Sequence, residues 1–257
     1  FDAFHGPQRT AVIEAQRGIQ YYLPYVVNIQ LAAKSDLSTL EHVLIIGKAD
    51  SCPALAEVLS QRKLTPSKIP GSFVVHIGSN SLKTDTRLIA IDGADDAGVL
   101  HGVAEFLAIL SKGGVALDLP GARRARIGGM FDQTVVSSPA IAERGLWTWG
   151  YVIYDYRGYL DQMVRLKLNT LTMWNDVVPV NMAEILTYAH DRGIKVHAGF
   201  HWGWGIPDLD LSKSEHRQQI HDSVIKTYLE QYADLAIDGL YFQTITEHHG
   251  QELAGRR

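Results

Sequence analysis

The sequence has little cysteine, no excess of basic residues and no apolar run long enough to span a bilayer. The single cysteine, Cys52, excludes an intrachain disulfide, and its position before Pro53 suits a small structural side chain. A net charge of -4 and a pI near 6.3 provide no basic face for nucleic acid or for an anionic membrane. These features leave the compartment open between the cytoplasm and an exported location.

Motifs for cofactors and for activated nucleophiles are missing as well. The predicted strands that end at Gly47 and Gly78 are not followed by GxGxxG, or by GxxxxGK with Ser or Thr, so a nucleotide site is not supported. The absence of a GxSxG elbow argues against a Ser-His-Asp nucleophile. We therefore predict no cofactor and no bound metal.

The first part of the chain has the pattern of a small α/β domain. A chain of 257 residues with 46% hydrophobic content can bury a large core. Short β-branched or aliphatic runs predict strands at residues 26–31, 42–47, 73–77 and 87–91. Helices are predicted after Asp50 and Ser51 and over residues 93–110. We assign residues 1–122 to this domain, with a scaffolding role, and residues 123–142 to a Gly-, Pro- and Arg-rich linker.

Residues 143–257 alternate strand and helix four times. Strands are predicted at residues 143–150, 169–174 and 194–200 and from Leu240, with helical spacing of apolar residues between them. Such alternation requires a parallel sheet with right-handed crossovers, as in a (β/α)8 barrel. Because a whole barrel takes about 250 residues, we expect only the first four βα units and a truncated chain. An open, doubly wound sheet and a homo-oligomer that completes the barrel are the alternatives.

Aromatic and polar residues gather where these four strands end. All five tryptophans of the sequence fall in this half. A flat indole with one N–H donor suits stacking on a sugar ring, although an indole can equally fill the top of a barrel. Oligosaccharide is the ligand class that this pattern predicts. The strand-end candidates are Trp147, Trp149, Trp174, Asn175, Asp176, His201, Trp202, Trp204, Thr246, Glu247 and His248.

Glu247 is the candidate for catalysis. The stretch DGLYFQTITEHHG, residues 238–250, begins with an Asp-Gly turn, continues as a half-buried strand and ends on this carboxylate. The carboxyl ends of parallel strands carry the chemistry in such folds. A solvated loop carboxylate is the alternative for any isolated Glu.

A metal site is a second interpretation of the same strand ends. His197 and His201 have the spacing of one strand face, and with Glu247, His248 and His249 they could bind zinc. Histidines near sugars more often donate hydrogen bonds to hydroxyl groups, so we favour the carbohydrate interpretation.

The motifs GADDAGVLHGVAEFLAIL, ERGLWTWG, KLNTLTMWN and GIKVHAGF, with a Glu after the fourth barrel strand, resemble those of the α-glucuronidases and the β-hexosaminidases. The resemblance covers nearly the whole chain as an arrangement of elements. It implies that Glu247 is the general acid, that Arg144 contacts sugar hydroxyls and that Asn175 belongs to the sugar site.

Two departures leave the sugar open between a uronic acid and a hexosamine. Thr246 stands where hexosaminidases have an Asp, and His248-His249-Gly250 replaces the Gly-Gln-Pro of glucuronidases. Glycoside hydrolysis also requires a second carboxylate. Asp176 is the only nearby candidate. Because we expect the proper partner on one of the missing strands, we expect little or no activity from this chain by itself. A non-catalytic carbohydrate-binding protein and, less favoured, a metal-dependent hydrolase remain as alternatives.

Overall fold

The computed structural model describes residues 1–22, 26–79, 87–112, 132–149, 155–175, 177–203 and 206–242. The chain divides into two compact units. The first consists of Phe1–Arg144, Leu160–Leu168 and His190–Gly193, and the second of Gly145–Tyr159, Asn169–Ala189 and Ile194–Arg257. Within the described part of the chain, no helix combines the length and apolarity needed to cross a membrane.

A four-stranded mixed sheet forms the centre of the first unit. Its strands are β1 (Val43–Gly47), β2 (Phe73–Ser79), β3 (Arg87–Gly93) and β4 (Gln133–Ser137), in the spatial order β1-β3-β2-β4. Strand β1 is parallel to β3, whereas β2 is antiparallel to both β3 and β4. The helices of this unit are α1 (Gly6–Tyr22), α2 (Pro53–Gln61) and α3 (Asp96–Lys112).

The GADDAGV motif shapes the entry into α3. The carboxylate of Asp95 accepts hydrogen bonds from the backbone N–H of Gly98, at 2.7 Å, and of Gly71, at 3.1 Å. Asp95 thereby caps the helix and ties it to the loop before β2. A β-carbon on Gly98 would overlap the carbonyl oxygen of Ser72, so glycine is required for this close approach.

Residues 1–8 lie over the carboxyl ends of β1 and β3. The N–H of Asp2 donates to the carbonyl oxygen of Ile46 at 2.9 Å, and a β-carbon on Gly47 would overlap the side chain of Asp2. After β1, the Lys48 ammonium binds the carboxylate of Asp96 at 2.7 Å, and the Gln8 side-chain amide donates to the same oxygen at 2.9 Å.

Three sequence predictions for the first unit differ from the structure. Residues 26–31 form no strand, and Val26 is 88% exposed, so this apolar run lies outside the sheet. Helix α1 was not predicted, because glutamine and arginine interrupt its apolar stripe. Strand β4 falls inside the predicted linker, where it forms an edge of the sheet with mostly exposed side chains.

The second unit contains four parallel strands in sequential order. They are β5 (Gly145–Trp149), β6 (Thr170–Trp174), β7 (Lys195–Gly199) and β8 (Gly239–Tyr241). Helices α4 (Tyr156–Arg165), α5 (Met182–His190) and α6 (Ser214–Gln231) connect them in turn. This is the arrangement of the first four βα units of a (β/α)8-type barrel, and it confirms the predicted fold class.

The two faces of the second sheet are distinct. Ala198 packs with Phe200 and Tyr232, so its register faces the helices. Alternation along the strands then places His197 and Gly199 on the opposite face, which we call the inner face. His197 shares its row of the sheet with Trp147 and Thr172. Gly199 shares its row with Trp149, Trp174 and Tyr241.

Two buried ionisable groups of the first unit, Asp92 and His101, have pKa values shifted in opposite directions. Burial raises the pKa of Asp92 to about 6, although its carboxylate accepts a 2.7 Å hydrogen bond from the N–H of Ala49. Burial lowers the pKa of His101 to about 4, although its ring lies 3.4 Å from the carbonyl oxygen of Gly71. Both side chains are almost fully buried.

We predict that Asp92→Asn and His101→Gln change the pH dependence of the unfolding free energy in opposite directions. Asp92 stabilises the fold below its unfolded pKa, and this contribution, about 3 kcal/mol, disappears as the pH rises to about 6. His101 contributes to the unfolding free energy above about pH 6.5, and this contribution is lost as the pH falls to about 4. Between pH 4 and 6 the two slopes therefore oppose each other in the wild type.

Urea unfolding followed by circular dichroism would measure this. Relative to the wild type, Asp92→Asn should gain stability as the pH rises through that window, and His101→Gln should lose it. The double variant serves as the control for other titrating groups. Two single variants with the same pH profile as the wild type would contradict the prediction.

Candidate functional site

Four aromatic side chains meet at the carboxyl ends of the second sheet. We call Trp147, Trp149, Trp174 and Tyr241 the four-ring cluster. Trp149 and Trp174 are stacked, with ring centroids 4.5 Å apart and planes 6° apart. Trp147 contacts Trp149 edge-on at 4.8 Å and Tyr241 at 5.5 Å. The cluster thus joins residues of β5, β6 and β8 on the inner face.

The parallel register of the strands brings these rings together. Trp149 pairs with Trp174 on the next strand, and Gly199 and Tyr241 continue the same row across β7 and β8. In a flat sheet the first and fourth strands would be roughly 14 Å apart, at about 4.8 Å per strand. The contact between Trp147 and Tyr241 therefore indicates that the sheet curves toward its inner face, as a barrel requires.

Gly199 provides the space in which two of the rings lie. A β-carbon at this position would be 2.7 Å from Cδ1 of Trp174 and 3.2 Å from Cδ1 of Tyr241. The two rings approach the bare backbone of β7 from the strands on either side. A glycine inside a strand here marks a close approach between side chains and backbone.

The four rings differ in their access to solvent. Trp147 is 49% exposed, and Trp149 and Tyr241 are partly exposed. Trp174 is only 2% exposed, because Trp149 stacks on it and Gly199 lies beneath its edge. A ligand can therefore reach the first three rings directly, while Trp174 supports them from behind.

Trp202 belongs to a different aromatic group on the helix side of the sheet. Its ring lies 4.5 Å from that of Phe242 and 6.2 Å from that of Phe200, which in turn stacks on Tyr232. Burial raises the pKa of Tyr232 to about 12. We predicted Trp202 at the same site as the other tryptophans, and the structure instead places it in the core under α6.

Asn175 and His201 follow their strands directly. The N–H of Asn175 donates to the carbonyl oxygen of Gly199 at 3.2 Å, which fixes the turn after β6 beside the four-ring cluster. Asn175 is 9% exposed, whereas His201 is exposed. Both lie at carboxyl ends of strands, as predicted.

Arg144 precedes β5 and lies at the opposite end of that strand from Trp149. Its guanidinium donates to three backbone carbonyl oxygens, those of Lys167 at 2.9 Å, Ile141 at 2.7 Å and Ala142 at 3.1 Å. These contacts anchor the segment before β5. The structure thus gives Arg144 backbone partners and does not bring it to the strand ends that hold the aromatic residues.

Five of the predicted site residues lie outside the described residues, and they are Asp176, Trp204, Thr246, Glu247 and His248. His249, which the metal interpretation also used, lies outside as well. Among the residues that the structure does describe, no group of three or more His, Cys, Asp or Glu side chains could hold a metal ion.

Sequence reasoning missed Tyr241 and Gly199. Tyr241 stands two residues after Gly239 in the predicted fourth strand, and its alternation with Leu240 could have placed it on the inner face. Gly199 lies within the predicted third strand, residues 194–200, and ends the observed β7. Only its register with Trp174 reveals the role of Gly199, and that register is known only once the pairing of β6 with β7 is known.

Comparisons with known proteins support the fold. No protein-family model and no curated protein sequence matches the chain. A search of solved structures matches 35 chains. One is the glycoside hydrolase described as "Structure of CpGH84B", with a TM-score of 0.54 and 13% identity over 88% of this chain. The present chain spans 38% of the length of that structure.

A second match is "A Glycoside Hydrolase Family 20 beta-N-Acetylglucosaminidase", with a TM-score of 0.39 and 16% identity. The match covers 64% of this chain and 39% of the chain of that structure. Because its TM-score is below 0.5, we draw no conclusion from it. The likeness to CpGH84B shows that this chain has a fold similar to part of that glycoside hydrolase. The comparisons do not bear out a specific α-glucuronidase.

We predict that Gly199→Ala disturbs the four-ring cluster. The added methyl group would lie 2.7 Å from Trp174, whose ring is held in the stack with Trp149 and cannot move freely. Overpacking of this kind costs about 1–3 kcal/mol. We expect a weaker near-ultraviolet circular dichroism signal and an altered tryptophan emission spectrum.

Gly239→Ala on the neighbouring strand is the matched control. Its methyl group would be 3.1 Å from the ring of His197, so a shift of a few tenths of an ångström accommodates it. Equal spectra for the wild type and Gly199→Ala would show that the cluster is not held by this gap.

Proposed function

We propose that this protein is a carbohydrate-active glycoside hydrolase in which the four-ring cluster binds a sugar and Glu247 acts as general acid. The observation that carries the proposal is the convergence of Trp147, Trp149 and Tyr241, all accessible, at the carboxyl ends of parallel strands. Sites of this fold lie at those ends. The similarity of the fold to a glycoside hydrolase supports the same conclusion.

Aromatic rings suit the binding of sugars because the C–H groups of a pyranose present an apolar face. Stacking buries that face against an indole, while the hydroxyl groups at the edge remain free to form hydrogen bonds. His201 follows β7 and is exposed, so it offers such a polar group, while Asn175 after β6 is largely buried. The arrangement can thus hold a sugar ring in a defined orientation.

Glu247 would donate a proton to the leaving glycosidic oxygen. An apolar, aromatic surrounding disfavours a charged carboxylate and so keeps it protonated near neutral pH, as a general acid requires. The second carboxylate of a glycosidase would act as base or as nucleophile. Asp176, which follows β6 in the sequence, is the candidate for that role.

We expect oligosaccharide to alter the tryptophan emission of this chain, since all five tryptophans lie within residues 147–204. Trp149→Leu should weaken binding by about tenfold or more, because it removes both an accessible ring and the stack that supports it. Phe242→Leu is the matched control, since it removes an exposed ring that contacts Trp202 and not the four-ring cluster. Equal affinities for the two variants would contradict the proposed binding surface.

Activity is tested separately with a panel of aryl glycosides. Glu247→Gln should abolish any turnover and leave the binding constant within about twofold of the wild type, because the amide retains the shape but not the proton. Asp176→Asn should reduce turnover as well if it supplies the second carboxylate. Turnover of any glycoside by the wild-type chain would contradict the expectation that this chain has little or no activity by itself. Turnover that survives in Glu247→Gln would contradict the role of Glu247 as general acid.

A further inference from the structure

The four-ring cluster has an electrostatic character that bears on which sugar it binds. The face of an aromatic ring is negative, and a cation is attracted when it lies within about 6 Å of the ring centroid, most strongly for tryptophan. Neighbouring centroids in the cluster are 4.5–5.5 Å apart. One positive group above the cluster can therefore interact with more than one ring.

Trp147, at 49% exposure, offers most of the accessible surface. Tyr241 lies beside it at 5.5 Å, with the planes tilted by 48°, so the two rings form a shallow angled surface. Trp174 is buried behind Trp149 in a nearly parallel stack. Because Gly199 leaves room for Trp174, the ring of Trp174 lies behind the accessible ring of Trp149.

The sequence segments that follow the four barrel strands carry acidic residues and no lysine or arginine. The segments that follow the four barrel strands, residues 150–155, 175–181, 200–210 and 242–250, contain five carboxylates and neither lysine nor arginine. Recognition of a uronic acid carboxylate commonly uses an arginine or a lysine. Among the described residues of the inner face, Thr172 and His197 lie in the row next to the rings, whereas Lys195 lies at the opposite, amino end of β7.

We infer that the four-ring cluster selects a hexosamine that carries a free ammonium group over the corresponding N-acetylated, neutral or uronic acid sugar. The ammonium group would lie on the accessible faces of Trp147 and Tyr241 while the pyranose ring extends over the neighbouring indole. This inference rests on the proposed function, since it assumes that the cluster binds sugars. It deepens that function by naming the charge of the sugar.

Four matched ligands test the inference. Methyl glucosaminide carries an ammonium group, methyl N-acetylglucosaminide and methyl glucoside are neutral, and methyl glucuronide carries a carboxylate. The 257-residue chain is titrated with each near neutral pH, and tryptophan emission and calorimetry give the dissociation constants. We expect the glucosaminide to bind about fivefold more tightly than the neutral sugars, the size of one partly exposed cation–π contact, and the glucuronide to bind most weakly.

Variants locate the preference on the cluster. Trp147→Phe keeps a ring with a weaker negative face and should reduce the preference for the glucosaminide, and Trp147→Leu should abolish it. Phe242→Leu should leave the preference unchanged, because Phe242 contacts Trp202 and lies outside the cluster. Near-ultraviolet circular dichroism of each variant checks that the remaining rings keep their packing.

The outcomes separate the inference from the proposed function. Binding of all four sugars with equal affinity would overturn the inference and leave the proposed function standing. Tighter binding of the glucuronide or of the N-acetylated sugar would also overturn it. If none of the four sugars, and no oligosaccharide, binds at the cluster, both fail. A preference for the glucosaminide that persists in Trp147→Leu would show that the ammonium group is recognised elsewhere.

Discussion

The site depends on one steric constraint, which is that the backbone of β7 carries no side chain at Gly199. Trp174 and Tyr241 project from the strands on either side, and both come within van der Waals reach of the place where a β-carbon would be. The stack of Trp149 on Trp174 and the contact of Tyr241 with Trp147 both follow from that position. A glycine of the inner face therefore sets the arrangement of the large rings around it.

The parallel register makes this possible. Because the four strands run in the same direction and pair in sequential order, residues at the same height share one row across the inner face. Large rings on β5 and β6 meet glycine on β7 and, one row lower, His197 meets Gly239 on β8. Small and large side chains alternate in this way when a curved sheet must fill its interior without a void.

Sequence reasoning captured the alternation of strand and helix and the placement of Trp149 and Trp174 at strand ends, whereas Trp147 lies in the middle of β5. These depend on local periodicity, which a sequence carries directly. It did not separate Trp202 from the others, because the strand ends at Gly199 and the chain then turns toward the helices. It also assigned Arg144 to sugar, although its guanidinium binds the nearby carbonyl oxygen of Ile141 and also that of Lys167, which is distant in the sequence. Partners of that kind follow from tertiary packing and not from a motif.

In the first unit, the carboxyl ends of the parallel strands are covered by the chain itself. Parallel strands β1 and β3 finish side by side, and in open α/β sheets the crevice beyond such ends commonly holds a cofactor or a substrate. Here the N–H of Asp2 donates to the carbonyl oxygen of Ile46, and Gln8 and Lys48 both bind the carboxylate of Asp96 at the same edge. Residues 1–8 of the chain thus fill the place at this edge where a ligand would otherwise bind. A foreign molecule would have to displace residues 1–8 before it could enter there.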